Sequence, residues 1–151
     1  MTALHMLSRR ELSVAQLRTR LLKRKFEAAE VNEAIQRLAA DGAVDDRRVA
    51  RAAARLEGAI RQRGRRRVLQ KVQQLGVSPE IAQAAVNEVF EDEVDEEAVL
   101  DQALARRLKG QAPRDLDERG RARIVRALVA QGFALGAILA RLRRRGGPDD
   151  G

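Results

Sequence analysis

Residues 64–89 read GRRRVLQKVQQLGVSPEIAQAAVNEV, and the spacing of their apolar residues recurs on both sides of them. Val68, Val72 and Val77 stand four and then five residues apart, with Gly76 directly before the last. Residues four apart lie on one face of an α-helix, and a step of five that contains a glycine fits a left-handed C-terminal cap followed by an apolar anchor. The stretch therefore predicts a helix, a tight turn and a second helix.

The same 4,5 spacing occurs once upstream and once downstream, at intervals of 51 and 56 residues. The two further copies consist of Leu17, Leu21 and Phe26, and of Ile124, Leu128 and Phe133. Three copies favour a helical array, and the intervals leave room for one more helix in each unit. We predict an elongated, all-α array whose three units cover residues 1–44, 45–94 and 95–146, followed by a disordered tail at 147–151.

Cap residues place several helix starts. Ser13, Asp45 and Ser78 with Pro79 fit N-terminal caps, and Leu4 to Arg10 can form only a short helical turn. Asp45 precedes the longest predicted helix, 46–63, whose apolar face has a helical period. This predicted core face consists of Val49, Ala53, Leu56 and Ile60. We also expect all three phenylalanines to lie in the core, namely Phe26, Phe90 and Phe133.

Composition excludes most catalytic chemistry. The chain has no Cys, so it has no disulfide, thiolate nucleophile or Cys-based metal site, and its single His, His5, cannot form a His-rich site. Its glycines occur in no phosphate-binding motif. We therefore expect no enzyme, no cofactor and no metal. No long apolar run and no signal-peptide pattern are present, which predicts a cytoplasmic protein without membrane contact.

The acidic run EDEVDEE at residues 91–97 could be mistaken for a metal or general-acid cluster. It lacks His and any ordered spacing, and it lies at the start of a predicted helix, where the dipole stabilises carboxylates. We interpret it as structural.

Charge is uneven along the chain. The formal net charge is +8, with +5 in residues 1–56, −3 in 57–97 and +6 in 98–151. Two basic ends of this size favour a polyanionic partner such as nucleic acid, or a protein assembly that contains it. The alternative is a helical protein whose arginines only solvate its faces.

Three runs of cations are candidate partner-binding or DNA-binding sites. The middle run is the densest, with six cations in eleven residues. Three of these open a helix, where the dipole disfavours cations, so helix stability does not explain them. The candidate residues are Lys23, Arg24, Lys25, Arg61, Arg63, Arg65, Arg66, Arg67, Lys71, Arg141, Arg143, Arg144 and Arg145.

Four segments of the chain, in order, match one family pattern. They read LSRRELSVAQLRTRLLKRKF, LAADGAVDDRRVARA, GRRRVLQKVQQLGV and ALVAQGFALGAIL. In the second segment, Asp45 and Asp46 fall where the family has an Asp pair, and Val49 and Ala50 fall where an apolar residue and Ala follow it. Together the segments resemble the RecX family, the regulatory proteins of the bacterial recombinase RecA.

The resemblance implies three tandem three-helix units and a non-enzymatic role. Members of the family bind RecA filaments, lodge in the filament groove and generally limit ATP hydrolysis, recombination and the co-protease activity that acts on the SOS repressor. The implied partners are the RecA filament and single-stranded DNA, reached directly or through the filament. The family has no short binding-site signature, so the candidate residues above rest on charge alone.

The sequence is compatible with two functions. The first is a regulator that binds RecA filaments on DNA and inhibits RecA. The alternative is a free-standing, sequence-tolerant DNA-binding protein of tandem helical units. Because each unit of an array contacts mainly its neighbours, we expect a monomer in both cases.

Overall fold

The structure is a computed structural model that describes residues 2–146, apart from the side chain of Arg145. This part of the chain forms nine α-helices and no strand. The predicted tail at 147–151 lies outside the described residues. The helices are α1 (Thr2–Arg9), α2 (Val14–Lys23), α3 (Ala28–Ala40), α4 (Asp46–Arg55), α5 (Arg65–Gln73), α6 (Pro79–Asp92), α7 (Glu96–Leu108), α8 (Glu118–Ala130) and α9 (Leu135–Gly146); Leu56–Ile60 is π-helical and Pro113–Asp115 is a 3₁₀ turn.

Buried apolar side chains form three separate clusters, one for each set of three helices. The first extends from Leu12 to Val44, the second from Ala50 to Val94 and the third from Leu100 to Leu142. The accessible surface is 9678 Å² for 16.8 kDa, whereas a compact protein of this mass exposes about 7,600 Å². The all-α array of three-helix units is therefore confirmed, while the boundaries after residues 44 and 94 remain predictions.

The predicted N-terminal caps are present. Ser13 Oγ accepts a hydrogen bond from Gln16 N and the Gln16 side chain accepts one from Ser13 N, which is a capping box. Asp45 and Ser78 cap α4 and α6 through their side-chain oxygens. The first helix is longer than predicted, because Ala3, Met6 and Leu7 pack against the first cluster and support two full turns.

The three units turn in the same way. One residue in each unit comes directly before the last apolar residue of the 4,5 pattern. These residues are Lys25, Gly76 and Gly132, and their φ angles are +66°, +78° and +106°. Each donates its N–H to the carbonyl three residues earlier, at 2.9, 3.0 and 2.9 Å. The left-handed turn predicted from the 4,5 spacing is thus confirmed, even where a lysine replaces the glycine.

The π-helical segment corrects the predicted core face of α4. Leu56 is 40% exposed and Ile60 is 73% exposed, whereas Ala50 and Ala54 are fully buried. Small residues on this face allow a close approach to α6, since a Cβ at Gly58 would lie 3.3 Å from Val89 Cγ1. The prediction for Leu56 and Ile60 was wrong because apolar period alone does not distinguish a face of large residues from a face of small ones.

Replacing Ile60 by serine should therefore change the free energy of unfolding by less than about 0.5 kcal/mol, as for other surface positions. Replacing the buried Val89, which lies against Gly58, by alanine should lower the free energy of unfolding by about 1–3 kcal/mol. Urea denaturation followed by circular dichroism compares the two variants. An equal loss in both would place Ile60 back in the core.

The first two units meet at the start of α2. Ser13 Oγ donates to Leu75 O at 2.5 Å, and Val14 N donates to the Asp46 side chain at 2.8 Å. A Cβ at Gly76 would lie 2.7 Å from Ala15 Cβ, so the turn after α5 requires glycine where it touches α2. The turn of one unit therefore docks on the first residues of the middle helix of the preceding unit.

A bidentate ion pair adds to this junction. Arg48 Nε and Nη2 lie 2.9 and 3.0 Å from the two carboxylate oxygens of Glu11. The hydrogen bond with Glu11 raises the pKa of Arg48 above its ordinary value, with a smaller contribution from the charge of Asp45. The pair is solvent-exposed, and it links the segment before α2 to α4.

The second junction repeats the first. Gly64 N donates to Gln131 O at 2.8 Å and Arg66 N to Gly132 O at 3.2 Å, while Arg65 N donates to Glu96 Oε2 at 2.6 Å. A Cβ at Gly132 would lie 2.4 Å from Arg67 Cβ. The first three N–H groups of this helix start thus find acceptors in the next unit, and one acceptor is a carboxylate.

These junctions explain the exposed Phe26. It is 39% exposed, whereas Val77 and Phe133 at the matching positions are 8% and 1% exposed. In the second and third units the turn is pressed against a preceding unit, but no described unit precedes the first. The expectation that Phe26 lies in the core was therefore wrong, while Phe133 is buried and Phe90 packs against the second cluster, partly buried.

Candidate polyanion-binding surface

The first predicted cluster lies at the end of α2. Lys23, Arg24 and Lys25 are all exposed, and no carboxylate described in the structure lies within 4.0 Å of them. Lys25 occupies the left-handed turn position that the other units fill with glycine. Because no described unit packs on this turn, these exposed side chains are accessible to a partner.

Much of the middle cluster is engaged within the protein. Arg61 Nη1 lies 2.8 Å from Oε1 of the buried Glu57. Arg65 donates from Nη2 to Asn87 Oδ1 and stacks over the ring of Phe90, with its Cζ 5.5 Å from the ring centroid. These contacts assign both guanidinium groups a structural role.

The other members of the middle cluster differ in accessibility. Arg67 is half-buried against the turn of the third unit, where its buried Nε has no hydrogen-bond partner among the described residues. Arg63 and Lys71 are also half-buried, and Arg66 is exposed. Acceptors from the third unit offset the helix dipole at the start of α5. The unfavourable position of three successive arginines at a helix start was the main sequence argument for a separate function, and these acceptors remove it.

The C-terminal cluster divides in two. Arg141 is 8% exposed, and its Nε lies 2.8 Å from Asp101 Oδ1 while its Nη2 lies 3.6 Å from Glu97 Oε2. It fastens α9 to α7 and does not present its charge to solvent, so it leaves the candidate surface. Arg143 and Arg144 are exposed, whereas the side chain of Arg145 lies outside the described residues.

The acidic run has the structural role that we inferred. Glu93 pairs with Arg55 at 3.0 Å, and Asp95 caps α7. Glu96 accepts from Arg65 N, and Glu97 pairs with Arg141. These carboxylates join helices within and between units.

A basic stripe on α8 was missed by the sequence reasoning. Arg119, Arg123 and Arg126 are exposed, and their spacing of four and three residues places them on one helix face. None of them lies within 4.0 Å of a carboxylate of the described chain, unlike Arg48, which pairs with Glu11. The signal was helical spacing, because these cations are not consecutive in sequence.

The stripe borders a groove of about 720 Å³ between the end of α7 and α8. Arg106, Arg107 and Lys109 line it together with Arg123. Arg106 Nη2 donates to Gln62 Oε1 at 3.2 Å, across the junction to the second unit. Two carboxylates, Asp115 and Asp117, share the lining, and Asp117 is occupied in capping α8 through Gly120 N at 2.7 Å.

The arrangement suits an extended polyanion. The cations lie on an open groove and a helix face. Apart from Lys109, which directly follows α7, they belong to α-helices that pack on the third core cluster. Arginine guanidinium groups bind phosphate oxygens in a fixed fork geometry, which requires no base contact. Within residues 2–146 no group of three or more His, Cys, Asp or Glu residues could hold a metal ion, and no described helix is long and apolar enough to cross a membrane.

Comparisons with known proteins agree with the fold. A model of the first three-helix domain of RecX matches residues 2–38. The regulatory protein RecX of Trichlorobacter lovleyi is 32% identical over 136 residues, which cover 88% of this chain and 86% of that protein. The regulatory protein RecX of Syntrophotalea carbinolica is 31% identical over 133 residues, with the same two coverages. Similarity of this extent over nearly the whole chain shows that it belongs to the RecX family.

Proposed function

We propose that this chain is a non-enzymatic regulator that binds RecA filaments on DNA and inhibits their ATP hydrolysis, recombination and co-protease activity. It acts as a cytoplasmic monomer. The proposal rests first on membership of a family whose two similar members are named regulatory proteins. Single-stranded DNA is the second partner, met directly or through the filament.

The observation that carries the proposal is the set of unpaired cations on an elongated array. The arginines that join helices are held by carboxylates, as Arg48 is by Glu11 across the first junction and Arg141 is by Asp101 within the third unit. Those of the α8 stripe have no such partner among the described residues. Cations on one helix face can contact neighbouring phosphates of one backbone, whereas charges that only kept the protein soluble would need no common face.

Separate basic surfaces strengthen each other on one scaffold. The first cluster, Lys23 to Lys25, lies in the first unit, while the α8 stripe and Arg143 with Arg144 lie in the third. Each surface alone binds weakly, but binding at one raises the effective concentration of the others at the same polyanion. Loss of one surface should therefore reduce affinity by more than its own contacts.

Binding to RecA filaments on single-stranded DNA, compared with binding to that DNA alone, distinguishes the two functions. We expect tight binding to filaments and weaker, sequence-tolerant binding to naked DNA, with inhibition of DNA-dependent ATP hydrolysis as the protein is added. Equal binding with and without RecA, and unchanged ATP hydrolysis, would support the free-standing DNA-binding protein instead.

Changing Arg119, Arg123 and Arg126 together to glutamate should raise the concentration for half-inhibition of RecA at least about tenfold, which corresponds to 1.4 kcal/mol. The slope of log affinity for naked single strands against log salt should become less steep by about 2, because each lost phosphate contact removes about 0.7. The three positions are exposed, so circular dichroism and melting should stay unchanged.

In the matched control, three other exposed arginines that form no ion pair within the described chain are changed to glutamate. They are Arg9, Arg10 and Arg18. The control lowers the net charge by the same amount. An equal loss of inhibition in the control would show that total charge, and not the α8 stripe, controls binding.

A further inference from the structure

The turn after α2 carries the most exposed aromatic ring of the described chain. The protein has three Phe and no Trp or Tyr. Phe133 is 1% exposed, and Phe90 is partly buried beneath the guanidinium group of Arg65. Phe26 is 39% exposed, so it is the ring that a ligand can reach most easily.

Three cations come directly before this ring in the chain. Lys23, Arg24 and Lys25 are exposed, and none of them forms an ion pair with a carboxylate of the described chain. The backbone of the turn is tied to α2, because Lys25 N donates to Leu22 O at 2.9 Å. One turn thus presents both an aromatic ring, Phe26, and cations that the described residues do not neutralise.

This turn does not fit the junction that the other two turns make. A Cβ at Gly76 would lie 2.7 Å from Ala15 Cβ, and a Cβ at Gly132 would lie 2.4 Å from Arg67 Cβ. Lys25 occupies the same left-handed position, with a φ of +66°, and it carries a Cβ. The close backbone approach that joins one unit to the next is therefore obstructed at this turn, which leaves it to a different kind of partner.

The ring also lines an apolar groove between α1 and α3. The groove has a volume of about 520 Å³, and its buried lining includes Leu21, Val31 and Leu38. Sites for small molecules measure about 300–1,000 Å³ and are lined mainly by apolar side chains. The groove is therefore large enough to accept a flat group that stacks on Phe26, such as a nucleobase.

Charge determines which part of a polyanion can approach the groove. Glu30, Glu33 and Asp41 contribute to its lining, and the lining cation Arg37 lies 3.8 Å from Glu33. Phosphates are repelled by these carboxylates and attracted to the three cations before Phe26. Base amino groups, in contrast, can donate hydrogen bonds to carboxylates. A strand whose phosphates lie on the cations thus directs a base towards the ring.

We propose that Phe26 forms, together with Lys23, Arg24 and Lys25, a site for one nucleotide of single-stranded nucleic acid. The base stacks on the Phe26 ring at the mouth of the groove, and the neighbouring phosphates lie on the cations. Stacking tolerates every base, because each base has a π-face. This site rests on the proposed function, which includes single-stranded DNA as a partner, and it adds a contact to the base.

Two labelled probes test the contact with the base. One is oligothymidine, and the other is an abasic deoxyribose-phosphate oligomer of the same length, which carries the same charges without bases. Titration with the full chain, followed by anisotropy, should show binding of oligothymidine at least about fivefold tighter, as expected for one stacked base.

Variants at the ring separate stacking from apolar contact. Phe26→Leu keeps an apolar side chain but has no ring, so it should bind the two probes equally, whereas Phe26→Tyr should keep the preference for oligothymidine. The matched control is Leu22→Ala, which removes another exposed apolar side chain, 43% exposed, at the end of the same helix. It should keep the preference as well. Circular dichroism should show unchanged helicity in all three variants.

Tryptophan fluorescence gives a direct signal, because the chain has no Trp or Tyr. In Phe26→Trp, the emission of the single indole should fall when oligothymidine binds and stacks on it, and should stay unchanged when the abasic oligomer binds. The control is Ile60→Trp in the second unit, at a position that is 73% exposed. Its emission should be the same with both probes. A ring with a purely structural role would give no difference between the probes.

Equal affinity of the unchanged protein for the two probes would overturn the site, and so would a preference for oligothymidine that Phe26→Leu retains. Both results leave the phosphate contacts of the α8 stripe, and with them the proposed function, intact. Absence of binding to either probe also overturns the site. If Phe26→Leu then weakens inhibition of RecA, this face contacts protein instead. Unchanged ATP hydrolysis by RecA, in contrast, contradicts the proposed function, while the comparison of the two probes still decides the site.

Discussion

Replacing Phe133 by alanine is expected to lower the free energy of unfolding by about 3–5 kcal/mol. The ring is 1% exposed and belongs to the third core cluster. The turn that carries it is held at its base, since Phe133 N donates to Leu128 O at 3.2 Å. Truncation leaves a cavity among α7, α8 and α9, which pack together in this cluster. Chemical denaturation followed by circular dichroism measures the loss.

The matched control is Phe26→Ala, the same residue type at the same position of the first unit. Because Phe26 is 39% exposed, its truncation should lower the free energy of unfolding by no more than about 1 kcal/mol. Similar losses at the two positions would mean that Phe26 is packed in solution and that the first unit is closed as the third is.

Replacing Gly132 by alanine should be nearly as severe, with a loss of about 2–5 kcal/mol. Its φ of +106° disfavours any side chain, and the new Cβ would lie 2.4 Å from Arg67 Cβ and 2.6 Å from Arg67 N. The second and third units must then separate locally. In an array, stability is a sum of unit and junction contributions, so the third unit should unfold first.

Gly110→Ala is the control for this variant. Gly110 also has a positive φ, +84°, but a Cβ there meets nothing within 4 Å. It should therefore show only the backbone strain, about 1–2 kcal/mol. Hydrogen exchange should show faster exchange in α8 and α9 for Gly132→Ala alone. Equal exchange in both variants would show that the junction adds nothing to stability.

The parts of the fold that were predictable are those that a short segment determines. A helix end with a left-handed residue and an apolar anchor is a local motif, so the 4,5 spacing identified all three turns. The same holds for the caps at Ser13, Asp45 and Ser78, whose hydrogen bonds span two or three residues. Sequence reasoning needed no knowledge of neighbouring units for these.

The candidate site was less predictable, because the role of a cation depends on its neighbours in space. Arg141 stood in a basic run but pairs with Asp101, forty residues away in sequence. Arg119, Arg123 and Arg126 form no consecutive run of charges in the sequence, because their spacing is that of a helix face. A search for stripes at intervals of three and four would have identified them.

By itself, the sequence determined that this protein is a helical array with three similar turns and a large excess of positive charge. It also carried the resemblance to the RecX family. Only the tertiary structure decided how the units dock and which of the described arginines form ion pairs. The physical reason is range: caps and turns act over a few residues, whereas docking depends on contacts such as Gly64 with Gly132, which the chain brings together from 68 residues apart.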